Sequence, residues 1–96
     1  MSERIENIAK AVEASAGCPA SHVESVVVVE TFRGKTMWEG MVEVFALTGH
    51  AKAKRAYGWR IGTGNDARYT AVLELPPVDS PNTAVRAAIA AQARKA

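Results

Sequence analysis

Apolar residues recur at helical spacing from the start of the chain, with Ile5, Ile8, Ala9, Val12 and Ala16 along one stripe. Ser2 is placed to cap such a helix, and Glu3 and Glu6 suit its positive end. The pattern predicts a helix over about residues 3–15. Gly17 stops it, and Cys18-Pro19 prevents continuation because proline disfavours helical geometry in the residue before it. Pro19–His22 then reads as a connector.

From Glu24 the composition turns β-branched, with Val26-Val27-Val28-Val29 running into Glu30-Thr31-Phe32 and the turn Arg33-Gly34-Lys35-Thr36. With Gly34-Lys35 as the central pair, glycine in first place suits a type II′ hairpin in which Arg33 faces Thr36. That register puts Val27, Val29, Thr31, Trp38, Gly40, Val42 and Val44 on a core face of the hairpin Val26–Val44. The opposite face carries Val26, Val28, Glu30, Phe32, Met37, Glu39, Met41 and Glu43, which is more apolar than a solvent face requires. Either a terminal helix or a partner, most simply a second copy of the chain, would cover it.

A third strand runs from Lys54 to Ile61 with Tyr57, Trp59 and Ile61 in one row, and a fourth over Arg68–Leu75 with Tyr69, Ala71, Leu73 and Leu75 in one row. A short Thr63-Gly64-Asn65 loop with left-handed Asn65 would set Trp59 opposite Tyr69. Pro76-Pro77 ends the sheet. Asp79-Ser80-Pro81 pairs capping side chains with a proline at the first helical position, so the second helix starts at Pro81 with Ala84, Val85, Ala88, Ile89 and Gln92 as its narrow apolar stripe. The expected fold is α+β, a four-stranded antiparallel meander between N- and C-terminal helices (α-β-β-β-β-α).

The 96 residues suit a single domain, 1–96, with one core, and an apolar fraction of 48% with 23% charged residues is ordinary for a globular chain. No apolar run approaches the ~20 residues of a membrane helix, and the N-terminus lacks a basic-then-apolar signal segment. The one cysteine, Cys18, excludes an internal disulfide, and together these features predict a cytoplasmic protein. Net charge is +2 but uneven: residues 1–48 carry 4 basic and 7 acidic side chains (−3), and residues 49–96 carry 8 and 3 (+5).

Candidate chemistry is sparse. Cys18 and His22 are close in sequence, but no orienting third group or electropositive pocket is signalled. Two distant histidines make a poor metal set, so no metal and no cofactor is expected. Gly62-Thr63-Gly64 is followed by a strand where a phosphate loop needs a helix, and Gly34-Lys35-Thr36 sits in a hairpin, so neither is a nucleotide motif. Lys52, Lys54, Arg55 and Arg60 interleave with Tyr57 and Trp59 as on a nucleic-acid surface. Strand alternation, however, assigns the rings to the core and the charges to a solvated face.

Three stretches resemble a family of small bacterial proteins of uncharacterised function: Gly34–Phe45, Gly49–Ala53 leading to Tyr57-Gly58-Trp59, and Pro76–Pro81 with Ala84–Ile89. The resemblance spans about residues 25–90. It implies no catalytic residues and points first to Trp38, His50, Tyr57, Trp59 and the Pro76–Pro81 segment, with Trp38, His50, Tyr57 and Trp59 as the candidate ligand or partner surface. The leading expectation is a non-enzymatic module that forms a homodimer through the second sheet face, at Val28, Phe32, Met37 and Met41, or through the alanine-rich second helix. The alternatives are RNA binding through residues 52–60 and a small-molecule or enzymatic pocket near His50 and Trp59.

Overall fold

The computed structural model of the chain describes residues 2–62 and 64–95, with side chains through Ala91. Helix α1 (Glu3–Ala16) is followed by strands β1 (Ala20–Phe32), β2 (Lys35–Leu47), β3 (Arg55–Ile61) and β4 (Arg68–Leu73), and then helix α2 (Pro81–Lys95). The strands form one antiparallel sheet in the order β1-β2-β3-β4, so the α+β meander expected from the pattern is the fold of the chain. The caps are also as expected. Ser2 Oγ accepts the Ile5 N–H, Gly17 closes α1 at a left-handed φ of 71°, and Ser80 Oγ accepts the Thr83 N–H at the start of α2.

The helices lie on opposite faces of the sheet, as the alternation along β3 makes plain. Ala56 packs with Ile8, Val12 and Phe45 beneath α1, while Tyr57 and Trp59 join Val28, Val42, Val44, Ala84 and Val85 beneath α2. Gly58 lies against α1 because only a glycine fits there: a Cβ would stand 2.6 Å from Ile8 Cγ2.

The hairpin register differs from the expected one. The central turn residues are Arg33-Gly34, with φ 53° and 79°, a type I′ turn that pairs Phe32 with Lys35. A bulge then places Met37 outside the ladder, between the pairs Thr31↔Thr36 and Glu30↔Trp38. Val28 therefore faces Gly40, where the expected register has Val29. Because strand side chains alternate with period two, this one-residue slip exchanges the faces of β1. Val28 is 1% exposed in the core under α2, and Val27 and Val29, expected inside, are 67% and 44% exposed. A second bulge at Val23 restores the pairing His22↔Phe45, so Pro19–His22 leads into β1 and is not a free connector.

The β3–β4 register also slips by one: Trp59 pairs with Thr70 and Arg60 with Tyr69. Tyr69, Ala71 and Leu73 do form one row, but it packs under α1 and not beside Trp59. The connection holds a 3-10 turn at Gly64–Asp66 in place of a left-handed Asn65. Thr63 and the Gln92 side chain lie outside the described residues.

Candidate functional site

The α1-side face of the sheet is covered only where α1 crosses it. Beyond the N-terminus of that helix, the pairs Val27↔Met41 and Val29↔Glu39 stand in the open on β1 and β2, with Met41 also 41% exposed. Extending the β2–β3 ladder by one step of alternation sets Arg60 beside Met41. Arg60, Met41, Arg4 and Gly62 line a 410 Å³ hollow there. The buried Nε of Arg60 has no hydrogen-bond partner, and Glu39 forms no ion pair among the described residues. The site is thus an apolar row of Val27, Val29 and Met41 flanked by an unpaired acid and an unsatisfied base.

This corrects the expected dimer face. Val28 is interior and cannot meet a partner. Phe32 and Met37 are exposed, but on the α2 side, where they line a 350 Å³ hollow with Ile89 and the Glu30–Arg86 pair. Only Met41 of the four belongs to the open α1-side face. Val27 and Val29 are missed by sequence reasoning because four consecutive valines carry no alternation of their own. The available signal was on α2, where Asn82 and Arg86, four residues apart, both reach Glu30 and so demand that Glu30 point toward that helix.

The acidic residues of the hairpin are not grouped. The Arg86 hydrogen bond, seconded by Asn82, holds the Glu30 carboxyl below the ordinary carboxylate range. Glu43 is fully buried beneath α1, where Arg4 Nη2 donates to Oε2 at 2.9 Å, His22 Nε2 lies 2.8 Å from Oε1, and Ser25 Oγ also donates to Oε1. Burial pushes the Glu43 carboxyl up, but the hydrogen bonds from Ser25, His22 and Arg4 and the Arg4 charge outweigh it, holding the group below its ordinary value. Serine, histidine and glutamate meet here, yet not in catalytic order. A hydrolytic triad requires histidine between the serine and the acid, whereas both Ser25 and His22 converge on the carboxylate. The cluster docks the first turn of α1 onto β2. Among the described residues no group of three His, Cys, Asp or Glu side chains could hold a metal ion.

The remaining candidates are distributed over the fold. Trp38 and Trp59 meet edge to face at 5.7 Å under α2, and Tyr57 is buried and donates to Glu74. Burial, and then the bond to Glu74, push the Tyr57 phenol above the ordinary tyrosine range. His50 is separate from this group. Its Nδ1 accepts the N–H groups of Lys52 and Ala53 at 3.1 and 2.8 Å, closing its own loop. The basic residues do not share a surface: Lys52 and Lys54 lie in that loop, Arg55 is on the α2 face, and Arg60 is on the α1 face near the far end of β3.

No helix among the described residues is long and apolar enough to cross a membrane. Compared with protein-family models, curated proteins and solved structures, the chain matches none of them.

Proposed function

We propose that the protein is a non-enzymatic interaction module that self-associates, as a homodimer, through the open α1-side face of its hairpin. The observation that carries this reading is the exposed row Val27, Val29 and Met41, paired across β1 and β2 on the α1-side face and bordered by α1 only at Arg4. Isolated exposed apolar side chains are common, but adjacent ones on a rigid surface favour association. A second copy suits the charges as well as the apolar row. In a twofold contact the same patch serves both sides, so the exposed Glu39 of one protomer is available to the partly exposed guanidinium side chain of Arg60 on the other. A cytoplasmic setting goes with this reading, since Cys18 is a free thiol.

Light scattering on the full chain at micromolar concentration tests it. The expected mass is twice the 10.2 kDa of one chain, returning to one chain in the Val27→Asp and Met41→Asp variants with the far-UV spectrum unchanged. A wild-type mass of one chain would sink the proposal.

A further inference from the structure

Strand β4 closes the sheet on the side away from β1, and among the described residues no strand borders its outer edge. A hollow of 600 Å³ runs along that edge. It is lined by the five consecutive residues Arg68–Val72 and, opposite, by Ala87, Ala88 and Ala91 of α2. Consecutive strand residues alternate between the two faces, so a wall made of five in a row is the backbone edge itself, about 16 Å of it. The facing wall carries only methyl groups and therefore leaves the trough wide. At one end it shares Ile61, Thr70 and Ala88 with a 300 Å³ pocket backed by Trp38, Trp59 and Ile89. Arg68 is the one charged side chain in the lining, and it forms no ion pair among the described residues.

From these features we infer that the β4–α2 trough binds an extended polypeptide segment of a partner protein, one that bears an acidic residue and a large apolar residue. A strand edge offers alternating N–H donors and C=O acceptors, a pattern that another extended chain complements along its whole length. The segment adds as a fifth strand beside β4. Its carboxylate meets Arg68, and its apolar side chain enters the pocket beside Trp59. The site is separate from the hairpin face, so two copies could associate there and leave both troughs free.

Selection of a displayed library of random octapeptides on the immobilised full chain provides the probe. The enriched peptides are then titrated while the emission of Trp38 and Trp59, the two tryptophans of the chain, is followed. The expected result is a shared acidic position within an alternating apolar sequence, with saturable quenching. Ala91→Glu, at an exposed position, should weaken binding at least tenfold by filling the trough and neutralising Arg68, and Arg68→Glu should abolish the acidic preference. Val27→Asp should leave peptide binding intact, which separates this site from the proposed dimer. No enrichment, or peptides that bind both trough variants as tightly as the wild type, would overturn the inference.

Discussion

Replacing Gly58 by alanine tests how α1 is seated. The added Cβ would lie 2.6 Å from Ile8 Cγ2 and 3.0 Å from Val12 Cγ2, both on fully buried side chains. Carbon atoms in ordinary contact are about 3.5–4.0 Å apart, so the helix must retreat by about 1 Å or both side chains must leave their rotamers. Such overpacking costs about 1–3 kcal/mol. Alanine recovers about 0.4–1 kcal/mol by restricting the unfolded chain, which leaves a net loss of about 1–2 kcal/mol. In a domain of this size that lowers Tm by roughly 5–15 °C. Urea unfolding followed by far-UV circular dichroism measures the loss directly. A double variant, Gly58→Ala with Ile8→Leu, moves the offending branch away from Cβ and should cost less than the two single changes added together. An unfolding midpoint unchanged or raised in Gly58→Ala would refute the close approach of α1 to β3.

Other outcomes follow from the same packing. Val28→Ala should cost about 2–3 kcal/mol for two lost buried methyl groups and the cavity they leave, while Thr31→Ala, at an exposed position on the other face, should stay within about 0.5 kcal/mol; the reverse order in urea melts would restore the expected register. Glu43 and Glu30 both hold their carboxyls below the ordinary 4.5 in the fold, so their contribution is complete above that value and is lost as pH falls through the folded pKa. Tm should therefore decline below pH 4.5, and Glu43→Gln should lower Tm at neutral pH and flatten the acid decline; an equally steep decline in that variant would remove Glu43 from the explanation. In an alkaline absorbance titration, Tyr57→Phe should abolish a phenol step that lies above the ordinary tyrosine range, and persistence of that step would show that Tyr57 is not its source.

The elements and the limits of the helices were legible in the chain because local chemistry sets them, whereas β1 begins at Ala20, inside the expected connector, and β4 ends at Leu73 and not at Leu75. Ser2 and Ser80 cap the helices, Gly17 and Pro81 mark a stop and a start, and Pro76-Pro77 cannot continue a ladder. Element order and the antiparallel meander follow from those boundaries. Register does not, because a strand of four valines is equally apolar on both sides. Only the assembled sheet chose, through the Arg33-Gly34 turn, the bulge at Met37 and the pull of Asn82 and Arg86 on Glu30. With period-two side chains, that choice sent Val28 inward and Val27 and Val29 outward. The Glu43 cluster is likewise a tertiary product, since Arg4, His22 and Ser25 reach one carboxylate from a helix and two points along β1. The composition of the hairpin was written in the sequence, whereas the face it leaves open was decided by where each helix came to rest.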